Sequence, residues 1–242
     1  SPMNAANNVN GIGAMARMCE FAGDDAGQAK YRQLAEAGVQ RWLELANAGD
    51  HYALAFEAPD TWSLKYNLVW DHILDLNLFP KAVAKRESAY YLTKLNRFGV
   101  PLDSRQNETG MTKSDWLVWS ATLGGAEYFH TLIDTLYDFY NQVPQRNAMT
   151  DWYRTKDGQQ IGFVARPVMG GVFLPFLHNA ELWNKWANAA DPLPHAAYAP
   201  LPTPPKIVAH IVPTADKEPA MWRYTTTPPS GAWQAPDYDD SA

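Results

Sequence analysis

Residues 24–49 read DDAGQAKYRQLAEAGVQRWLELANAG. Apolar residues recur in this stretch every three or four positions, which is the period of an α-helix with one buried face. Asp24 or Asp25 can cap the first turn, because a short carboxylate accepts free backbone N–H groups there, and Gly49 is a typical stop. The stretch therefore predicts one long amphipathic helix. Its apolar positions are Tyr31, Leu34, Ala35, Trp42, Leu45 and Ala46.

The same period recurs through the first 190 residues. We expect an earlier helix across residues 12–21, and later helices across residues 64–76, 83–98, 114–123, 127–140 and 173–189, about seven in all. Polar, turn-rich segments join them, and Lys156-Asp157-Gly158 is typical of a hairpin turn. Helix pairs separated by long loops fit a bundle, a solenoid or a closed α/α toroid.

Proline usage changes sharply near residue 191. Of the 18 prolines, 11 lie between Asp191 and Ala242. Proline removes a backbone donor and fixes φ, so we interpret residues 191–206 as an extended linker after a helical region at residues 1–190. Beyond it, KIVAHIVP and MWRYTTT predict short strands, and we assign residues 207–242 to the start of a β segment.

Composition excludes several classes of function. The 242 residues carry a net charge of -6, which gives no electrostatic footprint for nucleic acid or an anionic membrane. No apolar run approaches the roughly 20 residues of a membrane span. Cys19 is the single cysteine and the six histidines lack metal-ligand spacing, so we expect no disulfide within the chain and no metal site. Residues 11–16, GIGAMA, lack the third glycine of a dinucleotide loop, and we expect no cofactor.

Four loop clusters carry the residue types that chemistry needs. They are WSLKYNL at 62–68 with Asp71, PLDSR and TKSDW at 101–105 and 112–116, DWY at 151–153, and FVARPVMGG at 163–171. Each also has a purely structural interpretation, as a helix cap, a solvated helix face or a turn. If they converge, their carboxylates can act as general acid or base, and their arginines can bind a substrate carboxylate. Residue types alone leave amide hydrolysis and glycoside hydrolysis both open.

Five ordered motifs resemble the glutaminase A family of fungi and bacteria. They are TWSLKYNLVWDHILDLNLFP, FGVPLDSR, TKSDWLVWSA, DWY and GFVARPVMGG, within about residues 10–176. The resemblance implies a mainly α fold, the (α/α) six-hairpin toroid, of which about seven helices would be a part. It also implies hydrolysis of L-glutamine to L-glutamate and ammonia by a secreted, periplasmic or cell-surface enzyme. The missing part of the toroid would be supplied by the same polypeptide or by another chain.

The resemblance also suggests roles for residues within the motifs. Asp103 or Asp115 would be the base that activates water or a hydroxyl group, and Arg105 and Arg166 would hold the substrate α-carboxylate. Lys65 and Tyr66 would donate to the developing oxyanion. The further binding candidates are Lys113, Trp62, Trp116 and Asp71.

Two alternatives compete with glutamine hydrolysis. The end of the chain, MWRYTTTPPSGAWQAPDYDDSA, resembles the opening of a galactose-binding-like β-sandwich. The chain could therefore be a non-catalytic, carbohydrate-associated module. Glycoside hydrolysis on the same toroid is the other alternative.

Overall fold

The computed structural model describes residues 1–106, 110–143 and 149–187, together with residues 208–209 and 224–225. The chain divides into two compact units, Ser1–Ala189 and Ala190–Ala242. In the first unit the described residues are mainly helical, which confirms the predicted fold class. No helix in the described ranges is long and apolar enough to cross a bilayer.

The first unit begins with an antiparallel helix pair, α1 (Pro2–Ala22) and α2 (Asp25–Leu45). Gly23 separates them in the left-handed conformation, with a φ of 72° that an L side chain would resist. The Asp24 carboxylate then accepts the Gly27 N–H at 2.9 Å and caps α2, as predicted. The helix expected at residues 12–21 starts ten residues earlier, because Pro2 occupies the first turn, where a missing N–H costs nothing.

The helix predicted across residues 64–76 is wrong in extent. Only a 3₁₀ turn (Tyr66–Leu68) and the short α3 (Val69–Ile73) form there. The backbone N–H groups just before the turn are used elsewhere: Leu64 donates to the Leu102 carbonyl at 2.8 Å and Lys65 to the Tyr91 hydroxyl at 2.7 Å. Tertiary hydrogen bonds therefore delay the start of the helix.

Three further helices follow. They are α4 (Lys81–Leu92), α5 (Ser114–Ala121) and α6 (Ala126–Gln142). The prediction for α4 ran six residues too far, since the chain turns after Leu92 and Asn96 pairs with Gly99 in an isolated bridge. The predicted helix at 173–189 is also wrong, because Asn179 is extended there and accepts the Leu182 N–H at 2.9 Å as a new cap. The result is a 3₁₀ turn (Pro167–Phe173) followed by α7 (Pro175–His178) and α8 (Ala180–Ala187).

Two short two-stranded sheets complete the first unit. Strand β1 (Ala53–Ala55) pairs with β2 (Ala58–Trp62), and β3 (Met111–Lys113) pairs with β4 (Trp152–Arg154), both antiparallel. The turn predicted at 156–158 is confirmed: Gly158 has a φ of 74°, and Tyr153 forms an antiparallel bridge with Gln160. The β3–β4 pair brings the TKSDW and DWY motifs side by side.

The largest core cluster lies among α4, α5, α6 and the β3–β4 pair. Phe139 of α6 stacks on Tyr153 of β4 with ring centroids 3.7 Å apart, and the Tyr153 hydroxyl donates to the Phe98 carbonyl at 2.9 Å. Packing of this kind holds the loops that precede α5 against a rigid support. Other fully buried members are Leu64, Tyr91, Val100, Leu117 and Leu132.

In the second unit the described residues are two strands, β5 (Val208–Ala209) and β6 (Tyr224–Thr225). They pair antiparallel, with Val208 opposite Thr225. These residues fall within the two predicted strand segments. The predicted linker at 191–206 and the rest of the predicted β-sandwich start lie outside the described residues.

Candidate functional site

An open cavity of about 500 Å³ is lined in part by residues of the WSLKYNL, PLDSR and TKSDW motifs. Ser63 and Asp103, which both line it, form an antiparallel bridge that joins the WSLKY motif to the LDSR motif. Its wall is mixed in character, with charged groups beside aliphatic side chains. The lining residues are Ser1, Asn4, Leu54, Ala55, Ser63, Leu64, Tyr66, Leu102, Asp103, Arg105 and Trp116.

A carboxylate and a guanidinium form a forked pair at the cavity wall. The Arg105 Nε donates to Asp103 Oδ1 at 3.0 Å and its Nη2 donates to Oδ2 at 2.7 Å, while the Arg105 backbone N–H donates to Oδ1 at 2.9 Å. Asp103 is almost fully buried, whereas two thirds of the Arg105 side chain is exposed, at 67%. The pair therefore presents its cationic side to incoming molecules and keeps its carboxylate fixed.

Two aromatic rings form an adjacent part of the wall. Tyr66 stacks on Trp116 with centroids 4.1 Å apart and an interplanar angle of 8°. Burial raises the pKa of Tyr66 to about 12, with smaller contributions from the charges of Asp115 and Asp103. Tyr66 therefore stays protonated at neutral pH, and it lies within electrostatic reach of both carboxylates.

Asp115 is a buried carboxylate with an unused oxygen. It lies in the first turn of α5, and its Oδ1 has no hydrogen-bond partner. Burial raises its pKa to about 6, mainly by disfavouring the charged form, although the Trp116 backbone N–H opposes this by hydrogen bonding. A carboxylate with such a pKa and a free lone pair can accept a proton near neutral pH.

Next to it, Asp151 organises two cations. The Arg166 Nε donates to Asp151 Oδ1 at 3.0 Å, its Nη2 donates to Oδ2, and the Lys113 ammonium lies 3.5 Å from Oδ2. Burial acts to raise the pKa of Asp151, yet the hydrogen bonds from Arg166 and the charges of both cations hold it below its ordinary value. Lys113 also lies over the rings of Trp116 and Trp152, at 4.8 and 5.3 Å from their centroids.

Lys65 occupies a fully buried position behind the cavity wall. Its ammonium donates to the Tyr52 carbonyl at 2.7 Å and to the Ser63 carbonyl at 3.0 Å, and it lies 3.4 Å from Glu87 Oε2. Burial lowers the pKa of Lys65 more than the Glu87 carboxylate raises it. The predicted donation from Lys65 to a substrate oxyanion stays a prediction, and the observed contacts are all to other residues of the chain.

Six of the ten candidates do not line the cavity. They are Lys65, Lys113, Asp115 and Arg166, described above, together with Trp62 and Asp71. Trp62 is a buried core residue that meets the edge of Tyr90 with centroids 6.0 Å apart. Asp71 is buried in α3, and its two oxygens accept the backbone N–H groups of Leu78 at 2.9 Å and Phe79 at 3.3 Å. Trp62 therefore belongs to the core, and Asp71 fixes the loop that follows α3.

A family model described as the glutaminase A six helical-hairpin domain matches residues 4–176. The chain belongs to this glutaminase A family. It is similar to the protein named glutaminase A from Aspergillus oryzae, with 34% identity over 176 residues. It is also similar to a probable glutaminase from Arthroderma benhamiae, with 25% identity over 201 residues. Each match covers 70% of this chain but only 25% and 23% of the relative, so the chain spans about a quarter of their length.

All ten residues predicted for the site fall inside the matched glutaminase A region. The structure adds residues to which the sequence analysis gave no role, chiefly Asp151, Glu87 and Ser63. Asp151 belongs to the DWY motif, and this motif could have marked it as a site residue. Glu87 had none, since KAVAKRESAYYL looks like an ordinary helix with a solvated face, and only the tertiary fold buries it. Among the described residues, no group of three or more His, Cys, Asp or Glu side chains is arranged to hold a metal ion.

Proposed function

We propose that this chain contributes to a glutaminase-like amidohydrolase site that converts L-glutamine to L-glutamate and ammonia. The observation that carries the proposal is the Asp103–Arg105 pair at the wall of a 500 Å³ cavity. A free amino acid bears both an ammonium and a carboxylate, and a neighbouring carboxylate and guanidinium complement both. The names of the two relatives point to the same substrate class.

The cavity suits the rest of a glutamine molecule as well. Leu54 and Leu102 offer apolar surface for its two methylene groups. The Tyr66 hydroxyl, which remains protonated, is a donor for the carboxamide oxygen as that oxygen becomes negative in the transition state. Arg105 would bind the α-carboxylate, because most of its guanidinium side is open to solvent.

Of the two carboxylates predicted as the base, we propose Asp115. Both oxygens of Asp103 already accept hydrogen bonds from Arg105, whereas Asp115 Oδ1 is unpartnered and its pKa is about 6. Asp115 would take a proton from the attacking water. Asp103 would instead fix Arg105 and meet the substrate ammonium.

The test compares carboxylate variants in the intact natural polypeptide that carries this sequence. Ammonia and glutamate are measured after addition of L-glutamine. Asp115→Asn should lower kcat by about 10²–10⁴-fold, the usual contribution of a general base. Asp103→Asn should act mainly through a raised KM, and exposed Asp60→Asn should leave both constants unchanged. Wild-type protein that releases no ammonia would refute the proposal.

Glycoside hydrolysis is the second candidate, favoured by one observation. Trp116 lies at the cavity wall beside the Asp103 carboxylate, and aromatic rings next to carboxylates also suit sugars. Incubation of the same protein with oligosaccharides, followed by an assay for reducing sugar, separates the candidates. Reducing sugar without ammonia would replace the glutaminase proposal.

A further inference from the structure

A serine hydroxyl and a buried lysine lie side by side at the cavity wall. Ser63 lines the cavity, and its Oγ is 3.3 Å from the Lys65 ammonium nitrogen. The Ser63 residue is held in place, since its backbone bridges to Asp103 and its carbonyl accepts a hydrogen bond from the Lys65 Nζ at 3.0 Å. A fixed hydroxyl beside an amine is the arrangement of a serine nucleophile with a lysine base.

The surroundings of Lys65 allow it to act as that base. Its neighbour Glu87 has other donors: the Tyr52 N–H at 2.7 Å on Oε1 and the Tyr91 hydroxyl on Oε2. The Glu87 carboxylate is therefore compensated even when Lys65 is neutral. A neutral amine could still donate to the Tyr52 and Ser63 carbonyls, and its lone pair would face the Ser63 hydroxyl. Burial favours the neutral form, because it lowers the pKa of Lys65.

We propose that Ser63 is the nucleophile of the amide hydrolysis and that Lys65 is the base that activates it. This inference rests on the proposed glutaminase function and adds a covalent intermediate to it. Lys65 thus touches the reacting hydroxyl rather than the substrate oxyanion.

The steps balance as an acyl transfer followed by hydrolysis. Ser63 Oγ bonds to the side-chain carbonyl carbon of glutamine while its proton passes to neutral Lys65. The carbon–nitrogen bond breaks, and Lys65 returns that proton to the departing amide nitrogen, which leaves as ammonia. Water then attacks the ester carbon and gives one proton to Asp115. Its second proton returns through Lys65 to Ser63 Oγ as the ester bond breaks, and the proton on Asp115 passes through solvent to the ammonia.

The test uses the intact natural polypeptide, L-glutamine and the diazoketone analogue of glutamine, 6-diazo-5-oxo-L-norleucine. A nucleophilic hydroxyl displaces N₂ from this analogue and forms a stable ether, which peptide mass mapping locates. Wild type should be labelled on Ser63. Ser63→Ala should lower kcat by at least about 10³-fold and remove the label, whereas Ser63→Cys should keep labelling at position 63.

Ser120→Ala is the matched control, since Ser120 is equally buried but donates to the Trp116 carbonyl at 2.9 Å and does not line the cavity. It should stay within about threefold of wild-type kcat, and circular dichroism should show both alanine variants folded. If wild type releases ammonia but Ser63→Ala retains more than a tenth of kcat, or if the label lies on Asp103 or Asp115, the inference is overturned and the glutaminase proposal stands. Label on Ser63 without glutamine hydrolysis would support the assignment of Ser63 as the nucleophile and overturn the assignment of glutamine as the substrate. Loss of both label and hydrolysis in wild type would overturn both.

Discussion

Replacement by asparagine at two equally buried aspartates should change the free energy of unfolding at pH 7.5 in opposite directions. Asp115 and Asp71 are each 4% exposed. Both oxygens of Asp71 accept backbone N–H groups, from Leu78 and Phe79, whereas Oδ1 of Asp115 has no partner. Burial therefore makes the Asp115 charge costly, while Asp71 stabilises the loop that follows α3.

The free-energy cost of the Asp115 charge follows from its pKa, which burial raises from 3.8 to about 6. At roughly 1.4 kcal/mol per pKa unit, the charged form costs the folded state about 3 kcal/mol at pH 7.5. Because the folded state binds this proton more tightly than the unfolded state, the stabilising contribution is complete below pH 3.8 and disappears as the pH rises through about 6. About 2 kcal/mol of this change falls between pH 4.5 and 7.5.

Asp115→Asn removes this pH dependence but leaves an unpaired amide group, at a cost of about 1–2 kcal/mol. We therefore expect the variant to be more stable than wild type by about 1 kcal/mol at pH 7.5 and equal or less stable at pH 4.5. Asp71→Asn should lower the free energy of unfolding by about 1–3 kcal/mol at both pH values. Urea denaturation, monitored by circular dichroism at pH 4.5 and pH 7.5, measures the free energy of unfolding of both variants. A stability difference between Asp115→Asn and wild type that does not change with pH would refute the reasoning.

Three further outcomes are expected. Glu87→Gln should lower the free energy of unfolding by about 1–3 kcal/mol, because it removes a buried carboxylate that accepts the Tyr52 N–H and the Tyr91 hydroxyl. The exposed Glu36→Gln should change it by less than about 0.5 kcal/mol in the same urea titration. Arg105→Lys should raise KM for glutamine about tenfold or more, with a smaller effect on kcat, since lysine cannot form the two parallel hydrogen bonds of the guanidinium. A KM and kcat equal to those of wild type in steady-state assays would contradict this. Gly158→Ala should lower the melting temperature by several degrees, because its φ is 74° and a Cβ would lie 2.2 Å from Val143 Cγ1; an unchanged transition in a thermal scan would contradict the backbone geometry.

The extents of α2, α5 and α6 were predictable from local periodicity, whereas the helix predicted at residues 64–76 was not. Helix α2 follows from its own residues, since Asp24 caps it and its apolar face repeats at helical spacing. The segment at 64–76 has equally helical spacing, yet its first residues donate their N–H groups to Leu102 and Tyr91. Those acceptors lie far along the chain, so local periodicity carries no information about them.

In the candidate site, too, local contacts were predictable from the sequence and long-range contacts were not. Asp103 and Arg105 are two residues apart, so their pairing is local. The contact between Arg166 and Asp151 depends on a return of the chain over 15 residues, and that between Lys65 and Glu87 spans two different segments. In these two long-range pairs the sequence nominated Arg166 and Lys65 and gave no role to Asp151 and Glu87.

By itself, the sequence determined the mainly helical class, the family and the set of motifs, because periodicity, caps and motif spacing are properties of neighbouring residues. The tertiary structure decided which of the nominated side chains share a wall. It buries Trp62 and Lys65, ties Asp71 to a loop, leaves one oxygen of Asp115 without a partner, and sets Ser63 against Lys65. Burial and unpaired lone pairs arise only when distant segments pack together, and those two quantities control the reactivity of a carboxylate or a lysine.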